Sequence, residues 1–145
     1  DQNKDINLYS ANFTHNCLNI SRISNFYSIN SALEVDITGQ INAEQIDGFP
    51  LAGVGGQMDF IHGARMSMGG KAIIALPSTA KGGTKSRIIS GMTSVTSLKS
   101  EIDFIVTEYG IASLFGKSLK ERARELIQIA HPDFREDLSK TLMSN

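Results

Sequence analysis

The sequence predicts an α/β domain with a mixed, largely parallel sheet, flanking helices and two helices at its C-terminal end. Three observations carry that prediction. Lys71–Pro77 is an apolar run without alternation, as a strand buried on both faces requires, and Ile102–Val106 repeats the pattern. Between Ser118 and Leu142 the apolar residues recur at helical spacing behind a helix-start signal. A glycine loop, Gly53-Val54-Gly55-Gly56, runs into Gln57–Arg65, whose apolar residues Met58, Ile61 and Ala64 fit one face of a short helix.

Taken in order, Ile6–Tyr9 alternates and reads as a short strand, and Asn16–Ser24 reads as a short helix. Phe26–Asn30 and Ala32–Ile37 read as strands. In the second, Leu33, Val35 and Ile37 alternate with the acids Glu34 and Asp36, which read as a solvated face. Gly39 and Gln40 then turn the chain into a hairpin at Ile41. Gly69-Gly70 stops the helix that follows the glycine loop. After Pro77 comes a flexible loop rich in hydroxyls, glycine and positive charge, Ser78–Arg87. Ile88-Ile89 is short and apolar, and Gly91–Lys99 reads as loop or sheet edge. Ser118-Leu119-Lys120-Glu121 spells a capping box, and Leu119, Ala123, Leu126, Ile127 and Ala130 form the stripe behind it. His131-Pro132 ends that helix, and Pro132 starts another on Phe134, Leu138 and Leu142. The last few residues are expected to fray.

A chain of 145 residues is long enough for one domain with its own core. The single Cys17 excludes an internal disulfide and points to a reducing, cytoplasmic setting, where it reads as a small buried hydrophobe. A formal charge of −1 argues against a nucleic-acid or membrane-surface partner. No apolar run is long enough to span a bilayer, and the first residues lack the order of a signal peptide. Position 1 is not Met, so the chain is open to being part of something longer.

Spelling excludes two nucleotide motifs. Gly53-x-Gly55-x-x-Met58 lacks the third glycine of the dinucleotide fingerprint, and Gly82-Gly83-Thr84-Lys85-Ser86 is not in P-loop order. His15, His62 and His131 are scattered; Asp59 and His62 share a helical face but are too few for a metal, and no metal site is expected. What remains is convergence. In open α/β sheets ligands settle beyond the carboxyl ends of the strands, which here carry Ser78–Gly83 and Thr107–Gly110. The Gly53–Phe60 amides add oxyanion or anion donors. Lys81 suits a phosphate or carboxylate. Glu108 could bind, act as a base or attack, or could simply pair with a basic residue.

Five segments, Ile29–Gln40, Gly53–Phe60, Ser78–Gly83, Thr107–Ala112 and His131–Arg135, together resemble the C-terminal part of the acetyl-CoA hydrolase/transferase family, most strongly its 4-hydroxybutyrate or butyrate CoA-transferase branch. The resemblance covers nearly the whole chain. It implies a class I CoA-transferase-like fold and a reaction in which a glutamate attacks an acyl-CoA thioester. CoA leaves, returns to form a glutamyl-CoA thioester, and is passed to an acceptor carboxylate.

By the same resemblance, the amides of Gly55 and Gly56 serve the oxyanion, and Gly53, Val54, Gln57, Met58, Asp59 and Phe60 line the approach to the thioester. Ser78, Thr79, Ala80, Lys81, Gly82 and Gly83 lie near CoA, and Glu108 matches a site-lining carboxylate distinct from the nucleophile. The nucleophilic glutamate of the family lies upstream of the matching segment. Residues 1–145 are therefore expected to be the C-terminal domain of a longer subunit, inactive alone. CoA and acyl-CoA are expected as substrates, with no permanently bound cofactor. The expected partners are a small carboxylic acid, the N-terminal part of the same subunit and further copies in a homo-oligomer. Thr14-His15-Asn16-Cys17 departs from the family, in which an Asn-rich turn ending in Pro is common. The alternatives are acyl-CoA hydrolysis, a non-catalytic CoA-binding or assembly module, and a stand-alone enzyme with Glu108 as nucleophile.

Overall fold

The computed structural model describes residues 3–92 and 94–143, so the fraying expected at the extreme C-terminus falls on positions 144 and 145, outside the described residues. Two short helices come first, α1 (Ala11–Thr14) and α2 (Cys17–Ser21). Asn16 starts the second: its Oδ1 accepts from the amides of Leu18 at 2.9 Å and Asn19 at 3.3 Å. Cys17 is only half-buried. Ile6–Tyr9, expected as a strand, forms no ladder among the described residues, and Leu8 is 95% exposed. Alternation makes a strand only where a neighbour and an apolar floor are present.

Strands β1 (Tyr27–Asn30), β2 (Glu34–Asp36), β3 (Ile41–Asn42), β4 (Gln45–Ile46) and β5 (Phe49–Pro50) precede helix α3 (Gln57–Met66). Next come β6 (Lys71–Ala75), β7 (Thr79–Ala80), β8 (Lys85–Ser86), β9 (Ile88–Ile89), β10 (Phe104–Thr107) and β11 (Gly110–Ser113). Helices α4 (Leu119–Ile129) and α5 (Pro132–Met143) close the described chain. The principal sheet has the order β1-β6-β10-β11. Its first three strands are parallel and β11 is added antiparallel, which is the mixed, largely parallel sheet that was expected.

The run Lys71–Pro77 does supply the central strand, but burial on both faces does not hold. Ala72 and Ile74 are sealed beneath the helices, whereas Ile73 and Ala75 are half-buried on a face that α3 and α4 do not cover. A smaller sheet, β3-β2-β9, contains the expected hairpin, and Ser97 bridges to Ile41 at its margin. The acids of β2 are not solvated. Asp36 is buried, and its Oδ1 accepts from Thr38 N at 2.8 Å, Thr38 Oγ1 at 2.6 Å and Gln40 N at 3.1 Å, closing the turn from within. Glu34 pairs with Lys85 Nζ at 3.0 Å and accepts from Asn42 Nδ2 at 3.3 Å.

Helix α3 packs on α2 where Gly63 leaves room; a Cβ there would lie 2.6 Å from the Ile20 Cβ. The capping box forms as spelled, Ser118 N donating to Glu121 Oε2 at 2.8 Å and Glu121 N to Ser118 Oγ at 3.4 Å. The buried stripe of α4 is rotated from the expected one. Ala123, Leu126 and Ile129 are buried with Ala130, while Leu119 stays exposed and Ile127 is half-buried. Leu138 of α5 is buried, with Phe134 and Leu142 packed against the same core. Among the described residues, no helix is long and apolar enough to cross a membrane.

Candidate functional site

Strands β6 and β10 are parallel neighbours in the register Ala75↔Val106, so the residues just beyond them emerge at one level. Ser78 and Glu108, 30 residues apart in sequence, meet there. The Ser78 amide donates to Glu108 Oε2 at 2.9 Å and the Ser78 hydroxyl to Oε1 at 2.6 Å. Ser78 is completely buried; Glu108 is exposed. The Ser78 hydroxyl is the main cause holding the Glu108 carboxyl below its ordinary range, helped by backbone amides and the charge of His131 and opposed by partial desolvation. The hydrogen-bond partner of Glu108 is therefore a serine, and the basic residue near it, His131, acts on it through charge.

The turn that presents Glu108 is pinned from below. Thr107 Oγ1 donates to the Ile129 carbonyl at 2.6 Å and accepts from Tyr109 N at 3.1 Å. Tyr109 sits edge-on to His131 at 5.4 Å, with the Arg135 guanidinium over its ring at 5.5 Å. Thus the segments Thr107–Ala112 and His131–Arg135, which sequence could only set side by side as motifs, meet around one aromatic ring.

The loop after Ser78 is a small hairpin, Thr79↔Ser86 and Ala80↔Lys85. Its tip turns through three consecutive positive φ angles, Lys81 at 49°, Gly82 at 65° and Gly83 at 93°. Lysine rarely takes that conformation. The tip holds the Lys81 side chain exposed, and no ion pair engages it among the described residues. Arg87 braces the hairpin: its Nε donates to the Thr79 carbonyl at 3.2 Å and its Nη1 to the Leu33 carbonyl at 2.9 Å.

The glycine loop leads into α3 as expected. Gly55 turns at φ +59° and Gly56 is the N-cap at φ −91°, so the first amides of the helix are free of side-chain caps. Gly53, Val54 and Gly55 are exposed. Gly56 is glycine for want of space, because a Cβ would overlap the His15 ring. His15 lies 4.9 Å from Phe60, which stacks in turn on Phe26 at 6.3 Å. Gln57 donates to the buried Ser97 hydroxyl at 2.9 Å. Met58 packs against the core, and Asp59 is exposed beside His15 and Asn16 in a shallow cleft. His62 Nε2 lies 3.8 Å from Glu101, and the described residues contain no group of three His, Cys, Asp or Glu placed to hold a metal.

The expected residues thus fall into two clusters. Ser78 and Glu108 are joined directly. Gly53–Phe60 makes no hydrogen bond to Ser78–Gly83 or Glu108 among the described residues, although α3 runs back to the start of β6 and so carries its N-terminus toward the same end of the sheet. A cleft of about 430 Å³ lies elsewhere, among Glu34, Asn42, Asp47, Lys85, Met92 and Ser94, and no expected site residue lines it. Sequence reasoning gave no role to His15, Ser97 and Arg87, which hold the two loops; the one local hint was the departure of Thr14–Cys17 from the family pattern.

Residues 1–142 match the family model described as the acetyl-CoA hydrolase/transferase C-terminal domain. The 4-hydroxybutyrate coenzyme A transferase of Clostridium kluyveri is 50% identical over 141 residues, 95% of this chain and 33% of that protein. The butyryl-CoA:acetate CoA-transferase of Anaerostipes caccae is 44% identical over 136 residues, 90% of this chain and 30% of that protein. A solved 4-hydroxybutyrate CoA-transferase from Porphyromonas gingivalis superimposes with a TM-score of 0.85 at 40% identity, covering 99% of this chain and 33% of the other. The chain spans about a third of the length of these relatives. With its α/β fold and a match over residues 1–142, the chain belongs to the acetyl-CoA hydrolase/transferase C-terminal domain family.

Proposed function

We propose that the chain is the C-terminal part of a CoA-transferase that moves CoA between short-chain carboxylic acids, of the 4-hydroxybutyrate, butyrate or acetate type. The reaction runs through a glutamyl-CoA thioester on a glutamate that precedes this chain. The observation that carries the reading is similarity over nearly the whole chain to proteins named for that exchange. The site at the ends of β6 and β10 supports it by supplying a fixed carboxylate and no nucleophile.

Glu108 is a poor nucleophile as held. Both of its oxygens accept from Ser78, and the same bonds make the carboxylate less basic. Its role is that of a stationary anion lining the pocket, orienting donors on the substrates. The amides of Gly55 and Gly56 stabilise the oxyanion as the upstream glutamate adds to the thioester carbonyl; one such donor is typically worth about 3 kcal/mol. Gly53, Val54, Met58 and Asp59 line the thioester's approach, while Gln57 and Phe60 act by fixing the loop through Ser97 and His15. Thr79, Ala80, Gly82 and Gly83 flank CoA, with the buried Ser78 acting behind them by fixing Glu108, and the exposed Lys81 amine meets one of its phosphates. The full-length protein works as a cytoplasmic homo-oligomer, with CoA as substrate and no resident cofactor.

The test uses the full-length protein with butyryl-CoA, with and without acetate. Transfer predicts acetyl-CoA in proportion to added acetate. Free CoA released at a rate indifferent to acetate would instead establish the second reading, hydrolysis, in which water replaces the acceptor. Borohydride reduction during turnover, followed by peptide mapping, is expected to label a glutamate outside residues 1–145. Label on Glu108 would overturn the role given to it here.

A further inference from the structure

The principal sheet has one finished face and one unfinished face. Ser28, Ala72, Ile74, Ile105 and Ala112 point to the finished side and are buried with α3 and α4. On the other side, the register aligns Ile29, Ile73 and Phe104 in one cross-strand row and Ala75, Val106 and Ile111 in the next. Tyr27 and Lys71 form a third row at the margin. Tyr27 is 57% exposed, and Ile29 and Ile111 are 66% exposed. The face is dished into a shallow apolar groove running from Tyr27 to Ile111.

A parallel sheet is ordinarily covered on both faces, since its crossovers lay helices there. A contiguous apolar patch of this kind marks an interaction surface. We infer that this face is the seat of the preceding two-thirds of the longer polypeptide, and not of a second copy of this chain. Three observations favour that occupant. The relatives are about three times as long as the match, and the family description places the matched part at the C-terminal end. The outer edge of β1, at the border of the face, pairs with no strand among the described residues, so the sheet is open to extension where it is also uncovered. The lead-in residues Ile6 and Leu8 are exposed apolar side chains, and Tyr9, also exposed, touches only the neighbouring Phe13 ring among aromatic partners, as in a segment lying against a preceding body. The inference is independent of which acids the enzyme exchanges. It also places the body bearing the upstream glutamate against strands whose carboxyl ends present Ser78 and Glu108.

The test is site-specific photocrosslinking in the full-length protein, with benzoylphenylalanine replacing Ile29 or, separately, Ile111. The expected product runs at the mass of one polypeptide and joins position 29 or 111 to a peptide that precedes this chain. Crosslinks that run at twice that mass, joining two copies, would overturn the assignment of the occupant. Failure to crosslink in folded, active protein would overturn the interface itself. Carbene footprinting of the unmodified full-length protein avoids any folding defect in the variants. Tyr27 and Ile111 are expected to be modified at least tenfold less than Leu119, which is also exposed in the isolated domain, whereas equal modification would show an open face.

Discussion

Replacing Gly56 by alanine should damage the glycine loop by a route that can be isolated. The backbone there has φ −91°, comfortable for alanine, so the cost is not conformational. It is the overlap of the new methyl with the His15 ring, with Phe60 Cε2 also only 3.3 Å from that methyl. His15 is held by Thr14 Oγ1 at 3.0 Å and by its contact with Phe60. Moving it aside forfeits an aromatic contact worth about 1 kcal/mol. Residual overpacking adds about 1–2 kcal/mol, so Gly56→Ala should destabilise by about 2–3 kcal/mol. His15→Ala alone should cost about 1 kcal/mol, and in its presence the methyl has room. Chemical denaturation of the full-length single and double variants should show a double variant at least 1 kcal/mol less damaged than the sum. Additivity within about 0.5 kcal/mol would refute the claim that His15 is what requires glycine at 56.

Gly53→Ala is the contrast: no atom lies within 4 Å of its Cβ position and its φ is not positive, so the melting temperature should hold or rise, while KM for acyl-CoA rises if bare backbone is needed there; a fall in melting temperature would contradict the open setting. Ser78→Ala removes the main cause of the lowered Glu108 pKa and should cost about 1 kcal/mol at neutral pH, allowing for exposure. Because the folded pKa lies below the ordinary 4.5, that contribution is full above 4.5 and vanishes as pH falls through the folded value. The gap between variant and parent in denaturant titrations should therefore close in acid; a gap that persists would mean that Ser78 acts through something other than the Glu108 anion. Asp36→Ala strips three donors of their acceptor inside the β2–β3 turn and should cost about 3 kcal/mol in the same assay, with Asp36→Asn, which keeps an oxygen, costing less than half as much.

The elements legible in sequence were those whose signals are local. The α4 capping box needs four adjacent residues, and α3 needs a glycine stop and one apolar face. What failed needed knowledge of neighbours. Ile6–Tyr9 has the alternation of a strand but no strand beside it. Asp36 carries the composition of a solvated face, yet its own turn folds two amides and a hydroxyl over it. The run Lys71–Pro77 is the instructive case. Its composition is that of a doubly covered strand, and the structure covers one face. The mismatch disappears if the second face is covered by chain outside residues 1–145, because sequence records the environment of the complete protein.

The candidate site divides the same way. The rule that ligands gather beyond the carboxyl ends of parallel strands selected both Ser78 and Glu108, and the β6–β10 register brings them together. That Ser78 would take both carboxylate oxygens depends on side-chain geometry three residues past β6 and one past β10, which no periodicity encodes. The consequence is chemical. A carboxylate that attacks a thioester should be sparsely hydrogen-bonded and basic, whereas Glu108 is doubly engaged and made less basic. If the glycine amides of the α3 N-terminus and Lys81, which has no ion pair among the described residues, share one site with the Glu108 anion as proposed, that site lacks an attacking group. On the reading proposed above, that deficit and the uncovered face behind the same strands would both be met by one preceding body that brings the nucleophile as it completes the sheet.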